Sequence, residues 1–315
     1  MDKFISCDWG TSSFRLRLVE TEAQNVLAEV TSQQGIASTH TSWKNSSLDR
    51  FLFYRSIISA GIKTLSTHSG YSLDNVVVII SGMASSGIGM MELEYKPLPA
   101  KTGGDDLLVH PIDPSNDFKH RVIMISGVKS ANDVMRGEET MVVGCDVKNS
   151  PDERLFILPG THSKHVSVKS GLIAGCKTFM TGELFDLLST KSILSASLEK
   201  ENYLSEITNP NFEKGVKEGA YDNLLNSIFH VRTNQLFNKL NPKENYHYLS
   251  GLLIGTELKD LLHINYSSVT LVSDKKFLLP YSQALHLLEI SKSIQHINAD
   301  KALIKGQTVI YKLYQ

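Results

Sequence analysis

Short aliphatic and β-branched runs recur at residues 4–7, 76–80, 121–125, 155–158 and 268–272, each with the length and make-up of a buried strand. Stretches with helical spacing separate them. Between Leu48 and Leu65 the apolar residues Phe51, Leu52, Tyr54, Ile57, Ile58, Ile62 and Leu65 fall three and four apart, as one buried helix face requires. Leu184, Leu187 and Leu188 have the same spacing and read as core positions. The segment 101–119 carries Gly103, Gly104, Pro111 and Pro114 among several charges and reads as a surface connection. The alternation of the two periods predicts an α/β fold.

One pattern repeats. Gly10-Thr11-Ser12-Ser13 and Gly160-Thr161-His162-Ser163 share the form Gly-Thr-x-Ser, 160 − 10 = 150 residues apart. Each follows a strand-like run and precedes an alternating one (residues 14–18 and 165–168), so both read as turns of β-hairpins. A single repetition at half the chain length is not a solenoid period. It suggests two related lobes, 1–150 and 151–315.

The chain has 315 residues, of which 41% are hydrophobic, enough for two cores. Its 32 basic and 33 acidic side chains leave a formal net charge of −1 with no long basic run. That gives no footprint for nucleic acid or for a membrane surface, so an anionic ligand must be met locally. The longest purely aliphatic stretch, residues 76–80, is far below the roughly 20 residues needed to cross a bilayer. The residues following Met1 lack signal-peptide character, and Cys7, Cys145 and Cys176 form no Cys-x-x-Cys pair. A reducing cytoplasm is the expected setting.

The candidate chemistry lies in the turns. Backbone N–H groups and hydroxyls of a Gly-Thr-Ser loop can approach phosphate oxygens. Asp8, two residues before Gly10, can hold Mg²⁺ directly or through water, or simply stabilise the hairpin. In the second turn Lys164 would add a point charge. His162 and His165 are three apart, which is no metal-ligand spacing on a strand; His162 would donate within the turn and His165 decorate the strand. Arg136-Gly137-Glu138-Glu139 places two carboxylates in what reads as a first helical turn, favourable to the helix dipole. A phosphoryl-transfer enzyme also needs a carboxylate to take the acceptor proton. Gly251 and Gly255, one helical turn apart, allow close approach of another backbone or of an adenine ring.

These residues carry a resemblance. Asp8–Ser13, Ser81-Gly82-Met83, Val134–Thr140, Leu158–Lys164, Met180–Leu184 and Leu249–Gly255 occur in the same order as in the 2-dehydro-3-deoxygalactonokinase family of the sugar kinase/Hsp70/actin superfamily. The resemblance implies a two-lobed actin-like ATPase (ribonuclease H-like) fold with ATP and Mg²⁺ in an interlobe cleft. It also implies phosphorylation of the C6 hydroxyl of 2-dehydro-3-deoxy-D-galactonate, or of another 2-keto-3-deoxy sugar acid; an actin-like structural ATPase is the rival from another class. Gly137-Glu138-Glu139 sits where the related glycerol kinases carry Gly-Asp-Gln, which makes Glu138 the expected base and Glu139 its alternative. The turn residues 10–13 and 160–164, with Gly251 and Gly255, are the expected nucleotide contacts. Ser86, Tyr95, Arg136, Thr181 and Glu183 are the expected substrate contacts, with Asp8 at the metal. Arg136 is the preferred partner of the substrate carboxylate over Arg15 and Arg17, whose shared strand face reads as solvated. Ser273 and Asp274 end a strand resembling the family's adenosine-binding edge, without its usual glycine. No motif fixes an oligomeric state.

Overall fold

The computed structural model describes residues 2–147, 149–201, 209–264, 266–290 and 294–315. The chain opens with strands β1 (Lys3–Trp9), β2 (Phe14–Glu20) and β3 (Val26–Ser32), helices α1 (Ile36–Lys44) and α2 (Arg50–Ser69), and strand β4 (Val78–Gly82). Short strands β5 (Lys96–Pro97) and β6 (Ala100–Lys101) lead to β7 (Val109–Ile112) and β8 (Val122–Ile125), then β9 (Val128–Lys129), β10 (Val134–Met135) and helix α3 (Glu138–Val143). Next come β11 (Arg154–Leu158), β12 (Ser163–Lys169), β13 (Leu172–Phe179) and helices α4 (Thr181–Thr190), α5 (Pro210–Tyr221), α6 (Leu224–Leu236) and α7 (Pro242–Leu258). Strand β14 (Ser268–Ser273), helix α8 (Lys275–Leu287), strand β15 (Ile294–Asn298) and helix α9 (Ala299–Leu313) complete the chain.

These elements form two compact units. The first comprises Met1–Asn149, Gly171–Cys176 and Asp300–Gln315, the second Ser150–Ser170 and Lys177–Ala299. Two segments beyond residue 150 therefore belong to the first unit: Gly171–Cys176 and Asp300–Gln315, which holds nearly all of the last helix, α9.

In the first unit a sheet runs β3-β2-β1-β4-β8-β7. β1 pairs antiparallel with β2 and parallel with β4, and β4 pairs parallel with β8. The second unit repeats the scheme: β11 pairs antiparallel with β12 and parallel with β14, and β14 pairs parallel with β15. The sequence echo is thus an echo of topology. Both Gly-Thr-x-Ser segments occupy the hairpin that opens each sheet, between β1 and β2 and between β11 and β12.

Three expectations change. The segment 101–119 contains an edge strand, β7, antiparallel to β8; its Pro111 is tolerated because an edge strand leaves one row of N–H groups unpaired. Helix α2 buries Tyr54, Ile58, Ile62 and Leu65 while Leu52 is exposed, so its core stripe is narrower than the full apolar set. Asp49 starts it, accepting from the Leu52 N–H, and Gly70 at φ 70° ends it. Arg17, expected in solvent, is buried, since the start of α9 covers β2. Its guanidinium reaches Glu29 (2.5 Å) and Asp300 (2.7 Å), and Asp300 also accepts from Arg15.

The core of the second unit rests on α5 and α7. Gly251 and Gly255 on α7 meet the backbone of α5, where an added Cβ would lie 2.1 Å from the Phe212 carbonyl and 2.2 Å from that of Val216. Gly215 and Gly219 on α5 face α7 as closely, at 2.2 Å from the Tyr248 carbonyl and 2.1 Å from that of Leu252. The two glycine pairs interlock the helices backbone to backbone, and this overturns the adenine reading of Gly251 and Gly255: the space beside each is filled by α5. Gly255→Ala should therefore lower unfolding stability by about 1–3 kcal/mol through overpacking. Urea denaturation would measure this, and an unchanged midpoint would mean that the helices separate freely.

Candidate active site

The first turn is short and tight. The Gly10 N–H donates to the Ser13 carbonyl (3.0 Å), closing a loop flanked by Trp9 and Phe14, whose rings pack edge to face at 4.7 Å. Thr11, Ser12 and Ser13 are exposed. The turn is held from beneath by α1: the Ile36 N–H donates to the Gly10 carbonyl (2.9 Å) and the Ala37 N–H to that of Thr11 (3.1 Å). These donors have no partner inside their own helix. The approach depends on Gly35, where a Cβ would sit 2.3 Å from the Thr11 oxygen.

The second turn is built the same way. Glu183 N–H, in the first turn of α4, donates to the Thr161 carbonyl (3.0 Å), and Gly182 lies so close that a Cβ would be 2.4 Å from the Gly160 oxygen. Thr161 and His162 are exposed, and the His162 ring hydrogen-bonds the Glu183 carboxylate. Ser163 and Lys164, expected at the phosphates, face inward. Ser163 is fully buried and donates to Glu257 (2.7 Å), while the buried Lys164 ammonium donates to the His162 carbonyl (3.0 Å). Strand β12 is covered on both faces at this point, so successive side chains are all withdrawn from water. Thr181 likewise spends its hydroxyl on Glu257. His165, expected to decorate the strand, is buried against the same carboxylate at 3.0 Å.

Around the first turn the acidic residues converge. Asp8 pairs in register with Ser81 and Trp9 with Gly82, and Gly137 packs against Gly82, with a Cβ position 3.2 Å from the Gly82 Cα. Gly137 holds φ 108° and Gly82 φ 89°, conformations that side chains rarely adopt. This contact brings the start of α3 to the end of β4. Withdrawal from bulk water pushes Asp8 above the ordinary carboxylate range; Arg15 and Arg17 pull it back, and the charges of Asp300 and Glu138 add to the push.

Glu138 and Glu139 differ in environment. Glu139 is buried, and the Gly137 N–H donates to both its oxygens (3.0 and 2.8 Å) while the Thr140 hydroxyl donates to one (3.0 Å). Burial, then the neighbouring Glu138 charge, pushes Glu139 up to about 7 against the opposing hydrogen bonds. Glu138 is only half-buried and accepts from the Arg136 N–H (3.0 Å).

Arg136 and Tyr95, both expected as substrate contacts, pack on each other, with the guanidinium 4.0 Å from the ring centroid. Arg136 also donates to the Ser85 hydroxyl (2.6 Å) and the Leu93 carbonyl (3.2 Å), and its Nε is buried with no hydrogen-bond partner. Ser86 is displaced from the expected role: it is buried and its hydroxyl donates to the Met83 carbonyl (2.7 Å). Its neighbour Ser85, fully buried, is the serine that accepts from Arg136. At the end of β14, Ser273 is buried and Asp274 caps α8 by position alone.

Two buried residues went unrecognised in the sequence. Glu257 is the only acid in the apolar run 249–258, a signal that could have marked it. Gln307 on α9 donates to the Cys7 carbonyl (3.2 Å) and the Ser81 hydroxyl (2.8 Å), tying β1 to β4 beside Asp8; nothing in its sequence context points there.

Against known proteins, the model of the 2-keto-3-deoxy-galactonokinase family matches residues 8–310. The chain belongs to this family. It is 29% identical over 310 residues to a Rhizobium meliloti (strain 1021) protein named "Probable 2-dehydro-3-deoxygalactonokinase DgoK1", covering 96% of this chain and 94% of that one. It is 25% identical over 308 residues to the 2-dehydro-3-deoxygalactonokinase of Escherichia coli (strain K12), covering 91% and 90%. A Sinorhizobium meliloti crystal structure, described as "a putative 2-dehydro-3-deoxygalactonokinase protein", superposes with a TM-score of 0.84 at 28% identity over 98% of this chain and 96% of that one. Component A of the Acidaminococcus fermentans (R)-2-hydroxyglutaryl-CoA dehydratase, at 9% identity and a TM-score of 0.52 with full coverage of both chains, shares the fold alone. The fold is the actin-like ATPase fold and the enzyme is a kinase of this family. Among the described residues no helix is long and apolar enough to cross a membrane.

Glu139 makes a pH-dependent contribution to stability. The folded state keeps its proton up to about pH 7, whereas the unfolded chain releases it near the ordinary value of 4.5. Stability from this group is therefore full below that lower value and lost as pH rises toward the upper one. E139Q keeps an acceptor for the Gly137 N–H and removes the titration. Urea unfolding at pH 5 and pH 8 should show E139Q gaining on the wild type as pH rises; equal shifts would mean that Glu139 does not titrate in this window.

Proposed function

We propose that the protein phosphorylates the C6 hydroxyl of 2-dehydro-3-deoxy-D-galactonate at the expense of ATP. The observation that carries this reading is the convergence of Asp8, the exposed Gly-Thr-Ser-Ser turn and Glu138, close enough for the Glu138 charge to raise Asp8, in a member of a galactonokinase family. A protein of formal net charge −1 collects two anionic substrates only through such local devices.

Each exposed turn, Gly10–Ser13 and Gly160–His162, is a phosphate-binding element whose outward N–H groups and hydroxyls meet ATP oxygens. Lys164 serves the second turn from its buried side by fixing the His162 carbonyl. Arg136, held against Tyr95, is the proposed partner of the sugar-acid carboxylate. The donor set near Asp8 suits Mg²⁺: one carboxylate with a second close by lowers its own repulsion beside a dication. Mg²⁺ takes most of its ligands from phosphate and water, so one or two carboxylates are sufficient protein ligands. Asp8 would hold it, and bound Mg²⁺ would neutralise charge on the phosphates.

Glu138 accepts the proton of the acceptor hydroxyl, whose oxygen forms the new bond to the γ-phosphorus as ADP leaves. Glu139 has both oxygens committed to Gly137 and Thr140 and so supports the turn that presents Glu138.

A coupled ADP-release assay over a panel of 2-keto-3-deoxy sugar acids tests the reading. The galacto acid should be the preferred acceptor; preference for the gluconate epimer, or ATP hydrolysis without any sugar product, would overturn it. In the same assay Glu138→Gln should keep ATP affinity and lose at least about 100-fold in kcat, the scale of a missing general base. Near-normal turnover would move the base elsewhere.

A further inference from the structure

The second unit buries a carboxylate that the reaction as described does not use. Glu257 lies near the end of α7 and is 2% exposed. Its Oε1 accepts from the Ser163 hydroxyl (2.7 Å) and meets His165 Nε2 (3.0 Å); its Oε2 accepts from the Thr181 hydroxyl (2.5 Å) and the Tyr281 hydroxyl (2.7 Å). A carboxylate offers about four lone-pair sites, and all are engaged. Burying a charge is costly unless it is paired or fully hydrogen-bonded, so a hub of this kind is kept only where its geometry is held tightly.

The four partners sit on three elements. Ser163 ends the second Gly-Thr-x-Ser turn and opens β12, His165 lies two residues further on, Thr181 opens α4, and Tyr281 is on α8. Two of them belong to the assembly that shapes the turn. The turn is clamped to α4 by the Glu183 N–H on the Thr161 carbonyl and by the close approach of Gly182 to Gly160. Glu257 joins the same two pieces from the buried side, through Ser163 and Thr181. Its own position is set by α7, whose glycines lock it to α5.

We propose that Glu257 is a positioning residue that holds the second turn in its phosphate-binding form, acting through Ser163 and Thr181. The inference rests on the reading of that turn as an ATP phosphate site. No atom of Glu257 need touch nucleotide; the carboxylate fixes the spacing between the turn and the first turn of α4, and with it the direction of the exposed N–H groups of Thr161 and His162.

Glu257→Gln keeps the shape and replaces one acceptor by an N–H₂ group that opposes two of the four donors. Expected is a rise of about tenfold in KM for ATP and in the ADP dissociation constant by calorimetry, with KM for the sugar acid within about twofold of wild type. Thr181→Val, which removes a single donor, should give the same split in smaller measure, and it decides the matter if Glu257→Gln fails to fold. Thr181 as a direct sugar-acid contact would instead raise KM for the sugar acid, and that result would overturn the proposal. A lower Tm with both KM values and ADP affinity unchanged would also overturn it, since that is the signature of packing alone. Wild-type protein that binds no ADP and phosphorylates no sugar acid would defeat the kinase reading itself, an outcome visible before any variant is made.

Discussion

The structure depends on bringing the free N–H groups of a helix start against the carbonyls of a hairpin turn. In the first unit Ile36 and Ala37 donate to Gly10 and Thr11; in the second Glu183 donates to Thr161. A turn whose carbonyls are tied down in this way is held in one shape, and a fixed turn is what an anion site requires. Each approach is possible only because Gly35 and Gly182 lack a Cβ at 2.3 and 2.4 Å from turn oxygens. The helices supply both a fixed scaffold and the field of their dipoles.

Both turns were legible because Gly-Thr-x-Ser follows a strand-like run twice, and the repetition survives as a repeated pairing scheme. The role of the glycines that seat them was not: Gly35 stands in no motif, Gly182 lies within Met180–Leu184, and both matter through what approaches them. Gly251 and Gly255 show the reverse. Their spacing announced a close contact, while its partner was written elsewhere in the chain, in Gly215 and Gly219 at the same four-residue interval. Reading the two pairs together identifies a helix crossing, and reading one alone leaves an adenine ring as an alternative to packing.

Strand and helix periods also mislead where both faces of an element are covered, or neither is. Arg17, Ser163, Lys164 and His165 lie on strands whose two sides are packed, so alternation says nothing about which residue meets solvent. Helix α4 has the opposite defect: Leu184 and Leu187 have core spacing yet are exposed, and the helix has no fully buried residue. Periodicity identifies a face and not what covers it. The return of α9 to the first unit has the same character, because Asp300 and Gln307 acquire their roles from strands nearly three hundred residues earlier.

The paired carboxylates at the start of α3 show how neighbours of one residue type are given different chemistry. Glu139 turns inward, where loss of water favours its neutral form and two backbone-directed contacts resist that change. It is a support for Gly137, whose φ of 108° and contact with Gly82 carry the helix start to the end of β4. Glu138, one residue earlier and half-buried, is left with access to solvent and with its charge felt at Asp8. A general base must reach a substrate hydroxyl before its affinity for the proton matters. The two carboxylates thus differ first in where the fold points them, Glu139 inward onto Gly137 and Thr140 and Glu138 to the half-buried side where it accepts from the Arg136 N–H.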